Sequence, residues 1–122
     1  MRKVVGIVDD NPTILCSMNR LLQAAGYDTE LFSSGEALLD SAASTTAACL
    51  VVDIHLGGMS GIELACQLAD RGCAFPIIFM SGEADQATEK RAVETGCITF
   101  LKKPFAADLL IEAVERALRL AE

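Results

Sequence analysis

Short apolar runs alternate along this chain with longer stretches in which apolar residues recur every three or four positions. The runs at 4–8, 49–52 and 77–80 read Val-Val-Gly-Ile-Val, Cys-Leu-Val-Val and Ile-Ile-Phe-Met. Such near-continuous apolarity is expected of strands covered on both faces. Two weaker runs, at 29–32 and 99–101, bring the predicted strands to five. Helical spacing predicts helices over 12–25, 35–41, 62–71, 85–95 and 107–120. The order is βα repeated five times, which predicts an α/β domain with a parallel sheet and helices on both faces.

Local signals support these boundaries. Asn11 is a good N-cap, Pro12 suits the first helical position, and Gly26, Gly72 and Gly96 are natural helix stops. In the first helix Ile14, Leu15, Met18, Leu21, Leu22 and Ala25 form the expected core stripe. Ser33-Ser34-Gly35-Glu36 resembles a capping box opening the second helix. The fourth helix has the weakest apolar stripe, whereas the fifth directs Leu110, Val114 and Ala117 inward.

Length changes the picture by limiting it: 122 residues predict one domain spanning 1–122, able to close a hydrophobic core. Hydrophobic residues make up 52% of the chain, but no uninterrupted apolar stretch approaches the roughly 18 residues of a membrane span. The start, Met1-Arg2-Lys3-Val4, lacks the pattern of a signal peptide. The protein is therefore read as soluble and cytoplasmic, with no membrane partner. A net charge of -7, with only ten scattered Lys and Arg, argues against nucleic-acid binding by this chain. Cys16, Cys49, Cys66, Cys73 and Cys97 are an odd set without a CxxC pair, and are expected as buried free thiols. His55, the one histidine, has no zinc-ligand spacing to any of them.

The candidate chemistry sits where strands end. Asp9 and Asp10 follow the first strand, Asp53 ends the third, and Lys103 follows the fifth beside Pro104. In a parallel sheet all four reach one edge, where open α/β folds place ligands. Asp9-Asp10 taken alone also reads as a helix start, but with Asp53 the three hard oxygen donors suit magnesium and a phosphoryl group. Lys103 either supplies the counter-charge or is a solvated lysine, a role that alternation along the strand gives rather to Lys102. Pro104 favours an extended Lys103, and a cis bond there would aim the side chain rigidly. Ser81, ending the fourth strand, is either a phosphate donor or a turn residue with Gly82.

These motifs resemble, over the whole chain, the receiver domain of bacterial two-component response regulators. The matching segments are Val-Asp-Asp-Asn-Pro from Val8, Val-Asp-Ile-His-Leu-Gly-Gly-Met-Ser-Gly from Val52, Phe-Met-Ser-Gly from Phe79, and Phe-Leu-Lys-Lys-Pro-Phe from Phe100. The resemblance implies a doubly wound, flavodoxin-like (βα)5 fold with strand order 2-1-3-4-5. It implies that Asp53 takes a phosphoryl group from a phosphohistidine on a histidine kinase or phosphotransfer protein. Mg2+ would be held by Asp10 and Asp53, by Asp9 through water, and by the backbone carbonyl of His55. Lys103 and Ser81 would bind phosphoryl oxygens. Ser81 and Phe100 would act as the switch that remodels the face of helix four, strand five and helix five, although Phe100 also reads as an ordinary strand residue. The implied output is an effector domain or partner, transcriptional in kind, with a homodimer on phosphorylation. No enzymatic turnover is expected beyond self-phosphorylation and its hydrolysis.

Two positions depart from the usual pattern. Gly57 stands where many receivers have proline, predicting a looser loop after Asp53. Phe100 lacks the hydroxyl of a switch tyrosine. His55 and Glu83 occupy places that influence the lifetime of the phosphoryl group. The segment 100–105 resembles receivers that precede helix-turn-helix effectors, so the expected origin is a longer transcriptional regulator. The competing readings are a receiver-like interaction module that takes no phosphate, and a magnesium phosphatase with its aspartate after strand one. The phosphatase would want an aspartate where Asn11 stands.

Overall fold

The computed structural model describes residues 2–82 and 86–121. Its five strands are β1 (Val4–Val8), β2 (Asp28–Phe32), β3 (Cys49–Asp53), β4 (Ile77–Ser81) and β5 (Thr99–Lys102). The helices are α1 (Pro12–Ala24), α2 (Gly35–Ser41), α3 (Gly61–Asp70), α4 (Gln86–Glu94) and α5 (Ala107–Ala121). All strand pairs are parallel and the order is β2-β1-β3-β4-β5, the expected doubly wound topology.

Alternation along each strand builds two cores. Val8, Leu50, Val52 and Phe79 face Leu38 and Leu39 of α2, Ile62, Leu64 and Leu68 of α3, and Ala92 of α4. Ile7, Val51, Ile78, Met80 and Leu101 face Met18 and Leu22 of α1 and Leu110, Val114 and Ala117 of α5. The sheet is thus covered twice, which is why β1, β3 and β4 carry almost no polar residue before their last positions. Among the described residues no helix is long and apolar enough to cross a membrane.

The helix ends follow the sequence signals with two differences. Asn11 Oδ1 accepts from the Thr13 and Ile14 amides as the N-cap of α1. At α2 the cap is Ser34, whose side chain accepts from the Ala37 amide, so Glu36 falls one place short of a capping box. Ala25 is the C-cap of α1 and exposed, not part of the core stripe, because the chain turns there toward β2 through Gly26 at φ 101. The expected start of helix four at Asp85 lies outside the described residues, as does Glu83.

The cysteines correct a further expectation. All five are free, but only Cys49 is buried; Cys73 and Cys97 are partly covered, and Cys16 and Cys66 are exposed. The reason is helical phase. Cys16 lies two positions from the buried Met18, and Cys66 two from the buried Leu68, each about 200° round the helix from the core face.

Candidate functional site: an acidic cluster and a lysine at one sheet edge

Parallel strands end together, and here their ends deliver three carboxylates and an ammonium. The Asp9 amide donates to Phe32 O at 3.1 Å, so Asp9 is held at the top of β1 and its side chain is fully buried. Asp53 ends β3, where the following Ile54 amide donates to Met80 O of β4. Lys103 continues the β4–β5 ladder: Ser81 pairs with Lys102, and the Lys103 amide donates to Ser81 O at 2.8 Å. The Lys103–Pro104 peptide bond is cis.

The ammonium of Lys103 lies 3.2 Å from Asp9 Oδ2 and 3.3 Å from Asp53 Oδ2. Each carboxylate also accepts a main-chain N–H. Asn11 donates to Asp9 at 2.9 Å, His55 to Asp53 at 3.0 Å and Gly57 to Asp10 at 3.0 Å. Burial pushes the Asp53 carboxyl up from its ordinary range, opposed by the His55 amide and the Lys103 charge and reinforced by the Asp9 charge. Asp9, Asp10 and Asp53 each bring an oxygen within 4.8 Å of the others. Three carboxylates against one lysine leave an excess of negative charge around hard oxygen donors. That donor set fits a divalent cation of the oxygen-seeking kind.

The remaining predicted residues separate. Ser81 is buried at the end of β4, on the same edge. His55 meets the site through its amide and leaves its side chain exposed. Phe100 pairs with Phe79 in the β4–β5 ladder and packs half-buried against the core on the α2, α3 and α4 side. Lys102 points away, as expected, and meets Glu89 of α4 at 3.6 Å. Sequence reasoning missed the amides of Asn11, His55 and Gly57 as donors.

Known proteins resemble this chain in sequence and fold. Residues 5–115 match the response regulator receiver domain family. The chain is 35% identical over 116 residues to the transcriptional regulatory protein FixJ of Bradyrhizobium diazoefficiens, covering 95% of this chain and 57% of that protein. It is 36% identical over 118 residues to the response regulator protein TmoT of Ectopseudomonas mendocina, covering 97% of this chain and 54% of that protein. It therefore spans about half the length of these curated relatives. Full-length FixJ from B. japonicum superposes with a TM-score of 0.92 at 34% identity, over 100% of this chain and 60% of that one. The matched residues contain the whole edge from Asp9 to Lys103, and the chain belongs to the response regulator receiver domain family.

Proposed function

We propose that Asp53 accepts a phosphoryl group from the phosphohistidine of a histidine kinase or phosphotransfer protein. The observation that carries this reading is the Asp53 carboxylate at the strand end, bridged by Lys103 to Asp9. A carboxylate oxygen of Asp53 would attack phosphorus while the P–N bond breaks, and the imidazole leaves. Lys103 is within reach of Asp53 to take up charge on a phosphoryl oxygen, and the Ser81 hydroxyl would hold a second. Asp10 and Asp53 would hold Mg2+, with the His55 carbonyl and, through water, Asp9. Bound there, Mg2+ would supply the charge neutralisation that phosphoryl transfer chiefly requires.

The Asp53 phosphate is then removed by hydrolysis, and no separate substrate is turned over. A hollow of about 480 Å³ lined by Ile14, Ser17, Met18, Pro104 and Phe105 opens beside Lys103, room for the donor protein to approach. Ser81 and Phe100 would carry the change to the face of α4, β5 and α5 and so to an effector domain or partner. A transcriptional output is supported by the likeness to FixJ, a transcriptional regulatory protein. A homodimer on phosphorylation and a cytoplasmic site of action belong to the same reading.

A small-molecule phosphodonor tests the proposal. Mg2+-dependent labelling that is lost in Asp53→Ala is expected. A wild-type chain that takes no label under these conditions sinks it.

A further inference from the structure

Lys102 stands between the two groups that would hold phosphoryl oxygens. Its backbone pairs in register with Ser81 across the β4–β5 ladder, and the next residue is Lys103, whose amide donates to Ser81 O at 2.8 Å. Alternation along the strand sends the Lys102 side chain the other way. There its ammonium meets Glu89 of α4 at 3.6 Å. One residue thus shares its backbone with the site and its charge with α4.

A weak contact matters where little else holds. The side chains of the pair are 67% and 42% exposed, so it has the strength of a surface ion pair, well below that of a buried leucine. Beside α5, which buries Leu110 and Val114, such a pair would count for little. The apolar seat of α4 is Ala92, with Val93 next to it 62% exposed, and there the pair is a sizeable share of what holds the helix down. Glu89 lies in the first turn of α4, at the end of the helix nearer in sequence to Ser81.

We infer that the Lys102–Glu89 ion pair is a tether that keeps α4 seated on β5 while Asp53 is unmodified, and that a shift of β5 at Lys103 reaches α4 through it. The second half of the inference rests on reading Asp53 as a phosphoacceptor; the tether itself is measured on the unmodified chain.

Deuterium exchange of the full chain without phosphodonor tests the tether, using the wild type, Glu89→Gln, Lys102→Gln and the double variant. Lys102→Gln is expected to speed exchange of the α4 amides about two- to fivefold, the effect of one exposed ion pair. The α5 amides are expected to stay as in wild type. In the Glu89→Gln background the same change is expected to do nothing further, which separates the pair from the effect of Glu89 on the helix end. Unchanged α4 exchange in Lys102→Gln overturns the inference, as does an equal acceleration in both backgrounds or one that α5 shares.

Labelling by a small-molecule phosphodonor with Mg2+ tests the link to the site. Both Glu89→Gln and Lys102→Gln are expected to take label about two- to fivefold faster than wild type, because each enlarges the fraction of chains with α4 released. The two changes alter net charge in opposite directions, so a shared sign does not come from altered attraction of an anionic donor. Opposite signs, or rates equal to wild type, overturn the link. A wild type that takes no label overturns the phosphoacceptor reading and the link with it, and the exchange cycle then still decides the tether.

Discussion

Lys103 lies 94 positions beyond Asp9 in the chain, yet its ammonium sits 3.2 Å from the Asp9 carboxylate and 3.3 Å from that of Asp53. The two acids are buried and the lysine largely so. Removing the cation leaves two carboxylates uncompensated in a poorly solvated place. Lys103→Ala is expected to cost about 2–3 kcal/mol in urea denaturation with chelator present. Added Mg2+ is expected to raise the melting temperature of Lys103→Ala more than that of wild type, because it then meets an undiluted negative cluster. An equal rise in both would remove Lys103 from the charge balance. Lys102→Ala, which breaks an exposed pair with Glu89, is expected to stay within about 0.5 kcal/mol of wild type.

Gly61 opens α3 directly beneath Asp53. A Cβ there would lie 2.5 Å from Asp53 O and 2.9 Å from Ile54 Cα, both main-chain atoms that cannot swing away. Gly61→Ala is expected to destabilise by about 2 kcal/mol and to weaken Mg2+ binding, since the strand end must shift. Gly6→Ala serves as the contrast. Its nearest neighbour at 2.6 Å is Leu50 Cδ2, a side-chain end that can rotate, so a smaller stability loss and unchanged Mg2+ binding are expected. Denaturant midpoints and Mg2+ titrations of the two variants check this.

Cys49 sets an alkaline limit. Burial pushes its thiol up from 9.0 to about 12, so the folded protein holds that proton where the unfolded chain releases it. A folded pKa above the unfolded one means stability present below about pH 9 and lost as pH rises toward 12, on the order of 1 kcal/mol per pH unit. Cys49→Ala is expected to be less stable than wild type at pH 8 and to lose less than wild type between pH 8 and 10. Parallel losses in both proteins over that range would contradict the assignment. A thiol reagent at pH 8 is expected to modify the exposed Cys16 and Cys66 in the native protein and to spare Cys49.

Particular residues explain how far the sequence could be read. β1, β3 and β4 were legible because burial on both faces leaves no polar residue to confuse the pattern. β2, β3, β4 and β5 each proved one residue longer than predicted, since Asp28, Asp53, Ser81 and Lys102 join the ladder despite polar side chains. Asp9, Asp10, Asp53 and Lys103 stood out as charges at the ends of apolar runs. The amides of Asn11, His55 and Gly57 did not, because every residue except proline carries an N–H and nothing in a side chain marks its use. At Gly57 a looser loop was expected, and its amide donates to Asp10.

Ala92 is the one residue of α4 that is buried, whereas α5 buries Leu110, Ala113, Val114, Ala117 and Leu118. A buried leucine or valine is worth about 1.5–3 kcal/mol and an alanine far less. The α4 amides are therefore expected to exchange with deuterium well before those of α5. A helix held by so little apolar burial can be re-seated by an energy no larger than that of a few hydrogen bonds.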